Sequence, residues 1–216
     1  MSQTDSFIDE VSEEVRTDRL WHLFRRYGWI AAVVIVVIVG GAAWNEYRKA
    51  TSKAAAEALG DEIVAALDAE NAEVRLAQLS DVEAPEQVQP IVDLMRGATA
   101  AQDEDAENVI AALEPLTADA ELGVIYRDLA ALKLLLLGDA VPLQLREELV
   151  AQITAPGRPY RVLGLEQALL IQIEQGQEDV ALQSARDLLQ EAGVTQGLQQ
   201  RLTQLIFALG GSPADF

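Results

Sequence analysis

The stretch ALLIQIEQGQEDVALQSARDLL, residues 168–189, decides the fold of this chain. Apolar residues at helical spacing lead to Gly176, and a second amphipathic run follows shortly after it. A glycine just past a helix supplies the left-handed backbone conformation that ends it. In the second run Ala181, Ala185 and Leu188 share one face, and small residues there allow two helices to pack closely. The stretch therefore predicts a helical hairpin.

Further hairpins of this kind extend outward from residues 168–189. Turns within pairs are predicted near Asp103, Gly138 and Gly176, which are 35 and 38 residues apart. A period in the mid-thirties made of two helices and a turn is typical of tetratricopeptide repeats. The large residue of that repeat is missing at Ala185. We therefore predict an all-α chain in which residues 47–216 form a degenerate tetratricopeptide-like solenoid, a fold that presents a concave binding surface.

Local signals place several helix boundaries. A break is predicted near Asn71, and Pro85 is predicted to lie in the first turn of a helix that continues to about Gln102. The run APGRP at residues 155–159 predicts a loop. No segment alternates with a period of two for long enough to predict a strand.

A second informative stretch, YGWIAAVVIVVIVGGAAWN at residues 27–45, contains 19 residues without a charge. As a helix it extends about 28 Å, close to the ~30 Å hydrocarbon thickness of a bilayer. Tyr27 and Trp29 stand at one end, and Trp44 and Tyr47 stand at the other, as in the aromatic belts of membrane helices. We predict a transmembrane anchor over residues 27–46.

Two alternatives to an uncleaved anchor are a core helix of a water-soluble protein and a cleaved signal peptide. Gly41 and Ala43 are small enough to precede a cleavage site. However, the 26 residues before the apolar run include six acidic ones, which is a poor n-region for a signal peptide. An uncleaved anchor is favoured.

The orientation of the anchor depends on nearby cations. Four precede the span and three follow it: Arg16, Arg19, Arg25 and Arg26, against Arg48, Lys49 and Lys53. The positive-inside rule therefore places the N-terminus in the cytoplasm by a narrow margin. In residues 1–26 we predict a cytoplasmic amphipathic helix with Phe7, Val11 and Val15 on one face, either resting at the membrane or docking to a partner.

The charge of the chain limits its partners. Formal net charge is −19, and residues 50–216 contain 28 acidic and 10 basic residues. Such a surface repels phosphate, so we expect no binding to nucleic acid. The chain has no cysteine, which excludes disulfides and thiolate chemistry.

Residues that would carry chemistry are scarce. The single histidine, His22, has no second ligand of its type, and the acidic run DEDAE at residues 103–107 lacks the pattern of a calcium loop, so a solvated turn is expected. None of the common catalytic or phosphate-binding motifs occurs. We expect no enzymatic activity, no cofactor, no metal site and no small-molecule substrate.

Partner-binding candidates within the solenoid are Tyr126, Arg127, Tyr160 and Arg161, because aromatic and arginine side chains dominate interface hot spots. The alternative is that the two tyrosines pack between hairpins.

The order of segments supports a family resemblance. A charged helix, DEVSEEVRTDRLWHLFRRYG, leads into one apolar span, then WNEYRK, then degenerate hairpins. This order resembles the ancillary SecYEG translocon subunit family, the YfgM-like inner-membrane proteins of proteobacteria. The resemblance covers roughly residues 6–210 and is most specific over residues 6–60. It implies a bacterial inner-membrane protein with a cytoplasmic N-terminus and a periplasmic repeat domain, and it transfers no catalytic residue.

The same resemblance implies protein partners, namely the Sec translocon and periplasmic chaperones. We therefore expect a membrane-anchored adaptor or chaperone-like protein. The alternative is a scaffold or assembly subunit of another envelope complex, for example in cell division, cytochrome maturation or respiratory assembly.

Overall fold

The computed structural model describes the backbone of residues 3–212 and the side chains of Trp21, residues 25–30 and residues 32–212. Within residues 3–212 every regular element is helical and no strand occurs, so the predicted all-α class is confirmed. The predicted apolar face of Phe7, Val11 and Val15 and the side chain of His22 lie outside the described residues. The chain divides into two compact units, Met1–Gly60 and Asp61–Phe216.

The first helix, α1, spans Gln3–Leu67. It continues without a break past residue 46, the end of the predicted anchor. Over residues 33–39 its valine and isoleucine side chains are each 48–70% exposed. A run of large apolar side chains that faces outward in every direction is typical of a helix that meets lipid rather than water.

Eight more α-helices and one 3₁₀ turn follow in the part of the chain that the structure describes. They are α2 (Ala72–Asp81), α3 (Gln89–Gln102), α4 (Ala106–Ala118), α5 (Val124–Leu135), the 3₁₀ turn Gly138–Ala140, α6 (Leu143–Ile153), α7 (Arg161–Glu174), α8 (Glu178–Leu189) and α9 (Gln196–Ala208). Each helix from α2 to α9 packs against the next one in the chain, and α5 also contacts α7.

Most of the predicted boundaries agree with the structure, but the start of α3 does not. The break near Asn71 is confirmed, because its side chain accepts a 2.8 Å hydrogen bond from the Val74 amide and caps α2. Pro85, however, lies in the preceding loop, where its carbonyl accepts hydrogen bonds from Val88 and Gln89. Pro90 occupies the first turn of α3 instead. Both prolines satisfy the same local rule, so the sequence did not distinguish them.

The helical hairpin predicted at residues 168–189 is confirmed. Gly176 has φ +73°, its amide bonds to the Ile173 carbonyl at 2.9 Å, and the Gln177 amide bonds to the Gln172 carbonyl at 2.9 Å. These two bonds are the Schellman arrangement that satisfies the last carbonyls of a helix. On α8, Ala181 is fully buried, and the remainder of its predicted face is buried as well.

Two groups of buried side chains hold residues 61–212 together. The first lies among α3, α4, α5 and α6 with one residue of α7, and the second lies among α7, α8 and α9. Helix α7 contributes Ile171 to the first group and Leu169 to the second. Each fully buried leucine or isoleucine contributes about 1.5–3 kcal/mol, so these cores fix the positions of the helices that pack around them.

Candidate protein-binding surfaces

The aromatic residues predicted to anchor the chain all lie on α1 and are solvent-exposed. The rings of Trp44 and Tyr47 are 6.3 Å apart, and the Arg26 guanidinium lies 5.7 Å from the centre of the Tyr27 ring. Within the described residues one helix is long and apolar enough to cross a membrane, by length and composition alone. Among the described side chains of its most apolar stretch, none is buried in the protein.

Tyr126 and Arg127 lie at the beginning of α5. Tyr126 is 41% exposed and follows two exposed apolar residues, Val124 and Ile125. The Arg127 side chain turns back, and its Nη1 donates to the carbonyl oxygen of Asp119 at 3.4 Å. Asp119 is the C-cap residue of α4, so this arginine places a positive charge at the negative end of a helix.

Tyr160 and Arg161 lie at the beginning of α7 and line a groove of about 540 Å³. Tyr160 is half-buried and packs against the first core group. Arg161 donates through Nη1 to the carbonyl of Thr154, the C-cap residue of α6, and through Nη2 to Glu191 Oε1 at 2.7 Å. We name this groove the α7–α9 groove. Its lining residues are Gly157–Leu163, Glu191–Gly193, Thr195 and Leu198.

Arg127 and Arg161 thus make the same kind of contact: each bonds to the C-terminal carbonyl of the helix before its own. The two predicted pairs do not share one surface, because Tyr126 and Arg127 do not line the α7–α9 groove. The packing of Tyr160 agrees with the alternative interpretation of a tyrosine that stabilises the hairpins. Exposed Tyr126 remains a binding candidate.

A buried ion pair joins α5 to the loop before α7. Arg158, in the loop before α7, donates through Nη2 to Oδ1 of Asp128 on α5 at 2.5 Å. Asp128 is fully buried. Burial raises the pKa of its carboxyl from the ordinary value, and the Arg158 charge opposes that shift in part. The sequence predicted only a loop at residues 155–159, and no local signal marked Arg158 as a partner of α5.

Two further arginines make bidentate bonds between helices. Arg146 on α6 is buried, and its Nη1 and Nη2 lie 2.5 and 2.7 Å from the carboxylate oxygens of Glu174 on α7. Arg201 on α9 makes bonds of 2.7 and 2.8 Å to Glu166 on α7. The hydrogen bonds from Arg146 lower the pKa of Glu174. Several of the cations in this acidic domain are therefore used to join its helices.

The acidic run at residues 103–107 covers the turn between α3 and α4 and the first two residues of α4. Asp105 caps α4, and its Oδ1 accepts a hydrogen bond from the Asn108 amide at 3.1 Å. The hydrogen bonds from Asn108 lower the pKa of Asp105. Among the residues that the structure describes, no three His, Cys, Asp or Glu side chains are grouped so as to hold a metal ion.

Comparison of the chain with protein-family models, with curated proteins and with solved structures found no match. The fold and surfaces define the class in coarse terms: a helical protein with one candidate membrane-spanning helix near its N-terminus and a domain built of consecutively packed helices.

Proposed function

We propose that this protein is a membrane-anchored, non-catalytic adaptor or chaperone-like protein that binds proteins or peptides through its helical domain. One observation carries the proposal. The chain combines an apolar helix of membrane length with consecutively packed helices that leave grooves and apolar side chains exposed. Exposed apolar patches on such domains are typical of protein–protein contact.

The domain is proposed to be a degenerate tetratricopeptide-like solenoid. Direct contact between α5 and α7, the first helices of successive hairpins, supports this proposal. Two ion pairs support it further. Arg146 with Glu174 joins α6 to α7, and Asp128 with Arg158 joins α5 to the loop before α7, at separations of 28 and 30 residues. Contacts between neighbouring repeats of a solenoid have separations of about one repeat length.

The anchor is proposed to lie in a bacterial inner membrane with residues 1–26 in the cytoplasm and residues 47–216 in the periplasm. The narrow excess of cations before the span supports this topology. The chain contains no native cysteine, so single-cysteine labelling can test it without background. An impermeant maleimide added to intact spheroplasts should label Gln87→Cys but should label Ser12→Cys only after lysis. The reverse pattern would overturn the topology.

The proposed partners are the Sec translocon and periplasmic chaperones, and cross-linking in intact membranes tests them. A photoreactive residue is placed at Tyr126 or at Leu163, an exposed apolar residue of the α7–α9 groove, with exposed Gln78 on α2 as the control. We expect adducts with translocon or chaperone components from the first two sites. Adducts only with another envelope complex would favour the scaffold alternative, and no protein adduct from any site would overturn the proposed function.

A further inference from the structure

A second groove lies on a different part of the domain, between α4 and α6, and it includes none of the four predicted binding residues. It has a volume of about 630 Å³. We name it the α4–α6 groove. Its lining residues are Ala106, Glu107, Ile110 and Glu114 of α4, Ala140 and Pro142 before α6, and Gln144, Leu145 and Glu148 of α6.

The floor of the α4–α6 groove is apolar and fixed in place. Ile110 and Leu145 are half-buried, and both pack against the first core group. Ala140 and Pro142 extend the apolar surface beyond them. Since the floor residues are held by the core, the groove is preformed, and a ligand does not have to order it.

The rim of the groove is acidic. Glu107, Glu114 and Glu148 are exposed, and none of the residues that line the groove is cationic. Three carboxylates beside an apolar surface repel one another, and a ligand that brings positive charge relieves that repulsion. The charge of the rim therefore selects for a basic ligand and against an acidic one.

The length of the groove fits a short stretch of polypeptide. The lining residues of α4 run from Ala106 to Glu114, about 12 Å along the helix axis. That length equals about four residues of an extended chain at ~3.3 Å each, or about two helical turns.

We propose that the α4–α6 groove binds a polypeptide segment in which Lys or Arg side chains alternate with apolar ones. The apolar side chains lie on the floor formed by Ile110 and Leu145, and the cations pair with the three rim glutamates. This inference rests on the proposed function, because it names the chemistry of the bound segment. It assigns to this domain a preference for basic, apolar sequences.

Peptide binding to the full chain in uncharged lipid nanodiscs tests the inference, with empty nanodiscs as the background. The probes are fluorescent peptides that repeat Lys-Leu-Leu, Glu-Leu-Leu or Lys-Ser-Ser. Their binding is measured by the change in fluorescence anisotropy. We expect tight binding of Lys-Leu-Leu alone. The triple variant Glu107→Gln, Glu114→Gln, Glu148→Gln should raise its Kd about tenfold, because each exposed ion pair contributes a factor of about two to three. Ala140→Lys, which places a bulky cation in the groove, should also weaken binding.

Matched controls separate the groove from the general negative charge of the protein. The triple variant Glu83→Gln, Glu86→Gln, Glu121→Gln removes the same charge from exposed sites outside the groove, and Ala111→Lys adds a lysine to an exposed site of α4. Both should change the Kd less than about twofold. Far-UV circular dichroism checks that every variant is folded.

Three results would overturn the inference: no binding of Lys-Leu-Leu, equal binding of Glu-Leu-Leu, or equal weakening by the control triple variant. If any of these occurs while adducts still form at Tyr126 or Leu163, the proposed function stands and the groove assignment fails. If no adduct forms at either site, the proposed function itself fails.

Discussion

Gly164 on α7 provides a quantitative test of how α6 and α7 pack. A Cβ added at this position would lie 2.6 Å from Cγ1 and 2.9 Å from Cδ1 of Ile153, and 3.1 Å from Cγ2 of Thr154. Ile153 is fully buried. Because it is branched at Cβ, its χ1 is restricted and Cγ1 cannot swing away freely. The added methyl group therefore forces the two helices or the core to shift.

Two opposing effects determine how much Gly164→Ala changes the free energy of unfolding. Alanine is favoured over glycine inside a helix by about 1 kcal/mol. Forcing an extra methyl group into a packed core costs about 1–3 kcal/mol. We expect overpacking to dominate, so that the free energy of unfolding falls by about 1 kcal/mol.

Gly197 on α9 is the matched control. It is also helical, but an added Cβ would meet only the Arg201 guanidinium, at 3.9 Å. Gly197→Ala should therefore raise the free energy of unfolding by about 0.5 kcal/mol, through helix propensity alone. The two substitutions are chemically identical and are expected to have opposite signs.

Urea unfolding of the full chain, followed by far-UV circular dichroism, measures both variants. Tryptophan fluorescence is unsuitable, because Trp21, Trp29 and Trp44 all lie in α1. Equal stabilisation by Gly164→Ala and its control would refute the close contact. A double variant with Ile153→Ala adds a second check: the two changes should be non-additive by about 1 kcal/mol, since they share one contact.

Four further predictions concern the anchor, two ion pairs and a helix end. Val36→Arg, at the centre of the apolar span, should make the free energy of membrane insertion less favourable by about 3 kcal/mol, so that alkaline extraction releases the chain from the membrane. Val64→Arg, later on α1, is the control and should leave the chain in the membrane. Urea unfolding at several pH values compares the parent with Glu174→Gln. The parent should have the higher free energy of unfolding, with the full difference present above the unfolded-state pKa of 4.5. That difference should be lost as the pH falls toward the lower folded-state pKa. Asp128→Asn should show the opposite trend, because burial raises the pKa of that carboxyl. Its free energy of unfolding should rise relative to that of the parent as the pH rises from 3.8. A relative rise for the parent would contradict this. Gly176→Ala should lower the free energy of unfolding by about 1 kcal/mol, because φ is positive there, and an unchanged urea midpoint would refute the left-handed cap.

The contacts of the four binding candidates illustrate what residue type alone does not decide. Tyrosine and arginine at positions 126, 127, 160 and 161 are binding candidates because those residue types dominate interfaces. In the folded chain Arg127 and Arg161 bond to helix-end carbonyls, and Tyr160 packs against the core. Residue type alone does not distinguish a free side chain from one bonded to the end of the preceding helix, because that contact depends on how the connecting loop brings the two helices together.

The hairpin at residues 168–189 shows what the sequence determined by itself. Its glycine turn, its buried alanine face and the helical class of the chain depend on residues within a few positions of one another. The apolar span at residues 27–45 is likewise determined by residues that are neighbours in the sequence. Only the tertiary structure decided that Gly164 is a contact site, that Arg146 is buried, and that an acidic rim surrounds the apolar α4–α6 groove. Those features depend on how successive hairpins stack, and side chains about 30 residues apart meet only after that stacking.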